Sequence, residues 1–231
     1  MLNKLYSKLN VIEVSTFKLI QSNKSIPFIN YLYLFIKGFL SLIESIIRNI
    51  SGPFGYVIRR FYYKMVFRKM GKDVLIDVGV ILNGSQNITC GNKVWIDAYT
   101  VINVQLTELI IENNVHIHTH VFMGGREKIV IKENAGISSG TKLFTGGAQI
   151  MPKNKIILNP MIEEYDPLAI NSGPILIEEN ATILSNCVIS PNVVIKKGSM
   201  VLSSSFVNKS TKEFSINIGV PAKQIGERPE E

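Results

Sequence analysis

The sequence predicts a mainly β protein built as a solenoid of short stacked strands, preceded by a helical segment. Three observations predict this: residues 177–207 repeat with a period of six, one place of the repeat collects Asn and Gly, and residues 1–72 are apolar and strongly basic. A period of six matches neither an α-helix nor a single strand. Fixed self-similarity is typical of solenoids, in which each unit buries its apolar side against its neighbours.

The hexad repeat reads IEENAT, ILSNCV, ISPNVV, IKKGSM, VLSSSF, V. Every block opens on Ile or Val, and this place and the fifth are two apart along a flat strand, so both point into the core. The fourth place forms a sharp corner, which needs residues that tolerate positive φ. Three edges make one triangular coil. The fifth place holds Ala181, Cys187, Val193, Ser199 and Ser205, and the fourth Asn180, Asn186, Asn192, Gly198 and Ser204.

The register predicts five to six coils over residues 73–210. It can be followed back through Leu143 and Ile111 to an earlier run whose first places are Val78, Gly84, Cys90, Ile96 and Ile102. It disappears over 144–174, which we interpret as a long loop insertion, and long loops on rigid scaffolds commonly carry sites. Residues 211–231 form a C-terminal tail.

Charge divides the chain into two parts. Residues 1–72 hold 12 Lys/Arg and 2 Asp/Glu, whereas the remainder holds 13 basic and 16 acidic residues. The two cysteines, Cys90 and Cys187, fall on inward places, so we expect buried thiols and a reducing compartment. No cleavable signal is recognisable at the start of the chain.

The N-terminal segment contains the apolar run SIPFINYLYLFIKGFLSLIESIIRNI (25–50), which Lys37, Glu44 and Arg48 interrupt. No uninterrupted stretch reaches the ~18–20 apolar residues of a transmembrane helix. The mixture of aromatic, aliphatic and basic residues favours helices that lie on an anionic membrane. The alternative is a helical cap that closes the solenoid or joins a trimer. No nucleic-acid motif accompanies the basic charge, so we predict no nucleic-acid partner.

The repeat, the loop and the tail GVPAKQIGER together resemble the hexapeptide-repeat, left-handed β-helix acyltransferases, in particular the acetyltransferases of bacterial surface polysaccharides and nucleotide sugars. The resemblance covers about residues 51–228 and rests on RRFYYKMVFRKMG (59–71), VHIHTHVFMGG (115–125), NPMIEEY (159–165), GPILIEENATI (173–183) and the tail. It implies a left-handed parallel β-helix, acetyl-CoA as acyl donor, and a homotrimer with sites between neighbouring prisms.

The three histidines of the sequence lie in this region, and a His that accepts the acceptor's proton suits acyl transfer near neutral pH. His120 falls on a corner place, which explains it structurally. His116 matches the V-H-I element of similar enzymes and is predicted to be the general base, with His118 as second candidate; solvated surface histidines are the alternative. A three-His zinc site, as in γ-type carbonic anhydrases, fits poorly because all ligands would fall within five residues, so no metal is predicted.

Binding residues follow from the same resemblance. Lys223 and Arg228 match family positions near CoA, and Gly198 and Ser199 would let pantetheine approach closely, although the repeat and solvation also explain these residues. The loop residues Asn159, Glu164 and Tyr165 are predicted acceptor contacts.

The sequence thus predicts a His-dependent O-acetyltransferase that acts on a sugar of a cell-surface glycan precursor, such as an O-antigen or capsule unit. The acceptor would be a sugar or lipid-linked glycan, and the enzyme would work in the cytoplasm at the inner membrane. The alternatives are N-acetylation of a nucleotide-linked amino sugar and a non-catalytic, membrane-associated scaffold.

Overall fold

The computed structural model describes residues 2–22, 24–148 and 170–229. The described chain begins with three helices: α1 (Leu2–Gln21), α2 (Phe28–Asn49) and α3 (Gly52–Val66). Pro27 immediately precedes α2 and Pro53 lies in the first turn of α3, the helical position at which proline is best tolerated. The predicted helical N-terminus is therefore present.

Short strands make up the rest of the described chain, together with one 3₁₀ turn at Ser85–Asn87. In the first three coils they are β1 (Lys69–Met70), β2 (Leu75–Ile76), β3 (Ile81–Asn83), β4 (Ile88–Cys90), β5 (Trp95–Ile96), β6 (Val101–Asn103), β7 (Leu109–Ile111), β8 (His116–Ile117) and β9 (Phe122–Gly124). The later strands are β10 (Ile129–Ile131), β11 (Gly136–Ile137), β12 (Lys142–Phe144), β13 (Gly146–Ala148), β14 (Ile170–Ser172), β15 (Ile175–Ile177), β16 (Thr182–Ile183), β17 (Val188–Ile189), β18 (Val194–Ile195), β19 (Met200–Val201), β20 (Phe206–Val207), β21 (Ser215–Gly219) and β22 (Ala222–Glu227).

Three parallel sheets form the faces of a prism of about six coils. The first face runs β1-β4-β7-β10-β15-β18, the second β2-β5-β8-β11-β16-β19-β21, and the third β3-β6-β9-β12-β17-β20. Each strand pairs with the strand one coil before it and one coil after it. This is the predicted solenoid, because a chain that visits the three faces in turn must return to each one once per coil.

The interior and the corners follow the hexad register. Ile177, Ile183, Ile189 and Ile195 are fully buried, as are Ala181 and Cys187. All five predicted corner residues between Asn180 and Ser204 have φ between 59° and 64°. Asn favours this left-handed region because its short polar side chain bonds locally. The predicted burial of both cysteines is also confirmed, and burial raises the pKa of the Cys90 thiol to about 12.

The register predicted for the first coil is wrong at two places. Val78 and Gly84 are only half-buried, and the inward residues are instead Ile76 and Leu82. The 3₁₀ turn Ser85–Asn87 accounts for the shift, since it adds residues between two strands that a strict period of six would place closer together. From Ile88 onward the predicted inward residues of this run are buried.

Helix α3 closes the first coil of the prism. Tyr62, Tyr63, Val66 and Phe67 belong to the same buried cluster as the first strands. The buried Arg59 side chain donates from Nε to the carbonyl of Ile76 (2.8 Å) and also bonds the carbonyl of Ile50. The helices therefore cap the open end of the solenoid.

The predicted insertion begins and ends in a short antiparallel stem of β13 and β14. Its central residues, including the predicted acceptor contacts, lie outside the described residues. At the other end of the prism the tail folds back as the antiparallel pair β21–β22, and β21 continues the second face beyond β19.

Truncation inside the prism is expected to be costly. Ile183→Ala should lower the free energy of unfolding by about 2–5 kcal/mol, because Ile183 is completely buried and its neighbours in the stacked coils cannot close the cavity. Thr182→Ala, at the adjacent outward place, is the matched control and should change it by about 0.5 kcal/mol or less. Denaturant unfolding measures both. Equal losses in the two variants would contradict the register.

Candidate active site

The three histidines lie on and after β8, on the second face of the prism. Ile117 is buried, so its neighbours His116 and His118 both project outward, as predicted from the alternation of a strand. His120 occupies the following corner with φ 57° and stacks on Tyr99. His116 and His118 are therefore the two histidines that share one surface.

Asp97 joins these two histidines into a cluster. His116 Nε2 lies 3.1 Å from each oxygen of the Asp97 carboxylate, and His118 Nδ1 lies 3.5 Å from Oδ2. The two imidazole rings are 3.8 Å apart between centroids. The Asp97 side chain is 13% exposed, whereas the two histidines are more than one third exposed. A largely buried carboxylate thus holds two accessible imidazoles.

Trp95 fixes the plane of His116. The paired strands β5 and β8 set Trp95 beside His116, and the rings stack at 4.9 Å with an interplanar angle of 12°. Because Nε2 bonds the carboxylate, the neutral ring carries its proton there and leaves Nδ1 with a lone pair. His116 is therefore oriented like a general base with a carboxylate partner.

The pKa of His118 lies below its ordinary value of 6.5. Partial burial is the main cause, because it disfavours the imidazolium, and the neighbouring His116 acts in the same direction. The Asp97 carboxylate opposes them and raises the pKa. These effects together favour the neutral form of His118.

Helix α3 borders the cluster on the side of the first coil. Asp77 stands one coil before Asp97, following the register of β2 and β5. The pKa of Tyr56, on α3, is raised by burial and by the Asp77 carboxylate to which its hydroxyl bonds, with a smaller effect from Asp97. Asp97 and Asp77 therefore stand one and two coils before the histidines, with the Tyr56 phenol bonded to Asp77.

Gly136 leaves an open space on the other side of His116. The two residues are directly paired between β8 and β11. A Cβ built on Gly136 would meet no atom within 4 Å, and its φ is not in the left-handed region. The strand position next to the imidazole is thus bare backbone, with no side chain to obstruct a ligand there.

Two of the residues predicted to bind cofactor are brought together. Arg228 Nη1 donates to the carbonyl of Gly198 (3.0 Å), and Gly198 turns a corner with φ 64° against the ring of Phe214. Lys223 is exposed on β22 of the same hairpin. This corner lies three coils from β8, or about 14 Å at roughly 4.8 Å per coil.

Ser199, unlike Lys223 and Arg228, points into the interior of the prism. Its side chain is fully buried and bonds the carbonyl of Lys196 (2.6 Å) and the hydroxyl of Thr211 (3.0 Å). It is turned away from the surface on which a cofactor would lie. The predicted acceptor contacts Asn159, Glu164 and Tyr165 lie outside the described residues.

The same cluster has the chemistry of a metal site. One ligand atom each from Asp97, His116 and His118 lies within 4.8 Å of the others, and such a set suits a divalent transition metal. The geometry therefore serves both a carboxylate-oriented base and a metal ion, and these alternatives differ in their response to a chelator.

Sequence reasoning missed Asp97, Trp95, Asp77 and Tyr56. A signal for the first two was available, since aligning whole coils of about 20 residues places Trp95 under His116 and Asp97 under His118. Tyr56 carries no such signal, because its position depends on how α3 docks.

The titration of His118 tests this electrostatic arrangement. Its imidazole resonances should show a midpoint below pH 6.5. Asp97→Asn should lower the midpoint further, because the carboxylate stabilises the imidazolium, and His116→Gln should raise it, because a neighbouring positive charge is removed. NMR of the ring protons measures all three, with His120 as internal reference. Shifts of opposite sign would contradict the cluster.

Comparisons with known proteins give the class. No family model matches the chain. The dTDP-4-amino-4,6-dideoxy-D-glucose acyltransferase of Escherichia coli is 28% identical over 166 residues, which are 71% of this chain and 84% of that protein.

Two solved structures are also similar to this chain. AntD, an N-acyltransferase from Bacillus cereus, was solved as a single-residue variant with dTDP-4-amino-4,6-dideoxyglucose and coenzyme A; it is 26% identical, covers 74% of this chain and 89% of its own, and superposes with a TM-score of 0.67. A hexapeptide-repeat acetyltransferase from Vibrio cholerae, solved with acetyl-CoA, shares the fold at 14% identity, with a TM-score of 0.57 over 93% of this chain and 99% of its own.

Fold and relatives together indicate an acyltransferase with the parallel β-solenoid fold that is also found in a hexapeptide-repeat acetyltransferase. The predicted acyltransferase activity and solenoid fold are therefore confirmed. Within this class, the relatives above 25% identity are an acyltransferase named for a dTDP-linked amino sugar and an N-acyltransferase solved with the same sugar nucleotide. These relatives favour the alternative prediction, N-acylation, over O-acetylation of a glycan.

Proposed function

We propose that this chain transfers an acyl group from a CoA thioester, acetyl-CoA in the simplest case, to the amino group of a nucleotide-linked amino sugar. The observation that carries the proposal is the Asp97–His116 pair, which sits on the outer face of an acyltransferase prism beside the open backbone of Gly136. The relatives' dTDP-4-amino-4,6-dideoxyglucose supplies the class of acceptor.

The proton is handled by His116. The amine attacks the thioester carbonyl, and His116 Nδ1 takes one proton from the nitrogen as the carbon–nitrogen bond forms. Collapse of the tetrahedral intermediate breaks the carbon–sulfur bond, and the imidazolium returns the proton to the departing thiolate. The products are an amide and free CoA thiol. Asp97 orients the imidazole and stabilises its charged form.

The donor would lie along the prism, parallel to the stack of coils. In this pose the thioester rests against Gly136, and the pantetheine extends towards the corner of Gly198 and the tail. Exposed Lys223 and the Arg228 guanidinium then stand near the CoA phosphates, because cations recognise phosphate by charge and hydrogen bonding. The distance of about 14 Å between β8 and the corner of Gly198 suits an extended pantetheine chain.

The acidic surroundings favour an amino sugar over a neutral hydroxyl. Asp97 contacts the histidines, and Asp77 stands one coil further along the same face. An ammonium group gains from these carboxylates on binding, whereas a hydroxyl does not, and its extra proton passes to solvent before the neutral amine attacks. Acceptor binding by Asn159, Glu164 and Tyr165, and assembly as a homotrimer with sites between prisms, complete the proposal.

A thiol-release assay tests the proposed function. The chain is incubated with acetyl-CoA and with either dTDP-4-amino-4,6-dideoxyglucose or the matched sugar nucleotide that carries a hydroxyl at the same carbon. We expect free thiol and the N-acyl product with the amine, and no acceleration with the hydroxyl compound. Added EDTA should leave the rate unchanged, because the base reaction needs no metal.

Three outcomes would overturn the proposal. Turnover of the hydroxyl compound alone would favour O-transfer, loss of activity with EDTA would favour a metal at Asp97, His116 and His118, and absence of acyl-CoA binding would favour a non-catalytic scaffold. Calorimetry with CoA separates the last outcome from a wrong choice of sugar.

A further inference from the structure

Helix α2 bonds its neighbours through polar side chains and exposes large apolar side chains to solvent. Its inward face carries the polar residues: Lys37 bonds Asn10 and pairs with Glu13 of α1, and Glu44 lies at the hydroxyls of Tyr62 and Tyr63. Burial raises the pKa of the Glu44 carboxyl. Lys37 and Glu44 therefore have polar partners on α1 and α3, and both are only partly exposed.

The outward face of α2 is apolar along its whole length. Six large side chains recur at intervals of four and three residues, which places them in one line on a helix. Each is at least half exposed, and we call them the apolar stripe: Phe28, Leu32, Phe35, Phe39, Leu42 and Ile46. A single apolar line of this size, over about 27 Å of helix, is typical of a contact surface.

The exposed charge of the three helices in the described chain has one sign. The two carboxylates among residues 1–72 are Glu13 and Glu44, and both face inward. The exposed charges of the three helices within the described chain are consequently basic and include Lys4, Lys8, Lys18 and Lys64, and exposed Lys24 lies between α1 and α2. Lys8 lies directly beside α2, with its ammonium 5.4 Å from the centre of the Tyr33 ring.

We propose that the apolar stripe docks the enzyme on an anionic membrane surface, with α2 lying in the plane of the interface. Lysines beside an apolar helix face complement anionic headgroups and acyl chains together. A second copy of the chain would instead bring like-charged lysines to one interface, which costs free energy.

The helix lies on the membrane and does not cross it. By length and composition α2 is the one described helix that could span a bilayer. However, the bonds of Lys37 and Glu44 hold it against α1 and α3, so crossing would require these charged groups to leave their partners inside the hydrocarbon layer. The docked enzyme would keep the prism in water above the headgroups.

Vesicle flotation tests the proposal with the full chain. We expect binding to vesicles of phosphatidylcholine mixed with phosphatidylglycerol, binding about tenfold weaker to phosphatidylcholine alone, and weakening by salt. Phe35→Ser with Phe39→Ser should weaken binding about tenfold or more while thiol release in solution stays unchanged. Leu106→Ser, an equally exposed apolar residue on the prism, is the matched control and should bind normally.

Light scattering of the lipid-free protein, together with flotation, decides whether a membrane or a second copy of the chain covers the apolar stripe. If the double variant changes the oligomeric mass and the wild type ignores anionic vesicles, the stripe joins copies of the chain and the proposal is wrong. Equal flotation of wild type and double variant would also contradict it. Neither outcome depends on the sugar acceptor, so this proposal can fail while the proposed function stands.

Discussion

His116→Gln lowers kcat by about 10²–10⁴-fold, the usual contribution of a positioned general base, and leaves the KM for acyl-CoA near its original value. The loss falls on kcat because the imidazole acts on a proton in transit and is not needed to hold the donor. Steady-state thiol release with saturating amino-sugar nucleotide measures it.

Two neighbouring substitutions are the controls for this loss. His120→Gln should keep normal activity, because His120 turns the corner and stacks on Tyr99 away from Asp97. Asp97→Asn should lower kcat, since an amide cannot stabilise the imidazolium that forms as His116 accepts the proton. Activity of His116→Gln within about threefold of wild type would assign the base elsewhere, with His118 as the next residue to change.

Gly136→Leu abolishes donor use without unfolding the prism. A Cβ at this position meets no atom within 4 Å and the site is only partly buried, so the free energy of unfolding should change by about 0.5 kcal/mol or less. It would nevertheless occupy the face directly paired with His116, where the thioester is proposed to lie. We expect kcat/KM for acyl-CoA to fall about 100-fold or more, since a displacement of about 1 Å already costs that much.

Gly38→Leu is the matched control, because a Cβ at Gly38 on α2 also meets no atom within 4 Å. It should leave kcat/KM unchanged. Gly136→Ala should fall between wild type and Gly136→Leu. If Gly136→Leu remains fully active, the donor does not lie on this face.

Much of the fold could be predicted because the hexad repeat encodes backbone geometry directly. Each corner Asn or Gly marks a left-handed residue, and each Ile that opens a block marks an inward position. The repeat was misread where the 3₁₀ turn Ser85–Asn87 breaks the period, since a turn without its own periodicity leaves no sign of its length.

The site could be predicted only in part. The imidazoles were found because histidine is rare in this chain, but their carboxylate was not, as Asp97 is 19 residues from His116 and the spacing of coils is needed to pair them. The histidine motif also could not decide between O-transfer and N-transfer, because one imidazole can act as the base in both reactions. The nearby Asp77, Asp97 and Tyr56 emerge only from the docked arrangement of α3 and the second face.

The most direct measurement is a crystal structure of the chain with CoA and dTDP-4-amino-4,6-dideoxyglucose bound. The account predicts the CoA sulfur against Gly136, the sugar nitrogen within hydrogen-bonding distance of His116, and the CoA phosphates near Lys223 and Arg228. A sulfur atom on either of the other two faces of the prism, or an amino sugar bound away from Asp97 and His116, would contradict it.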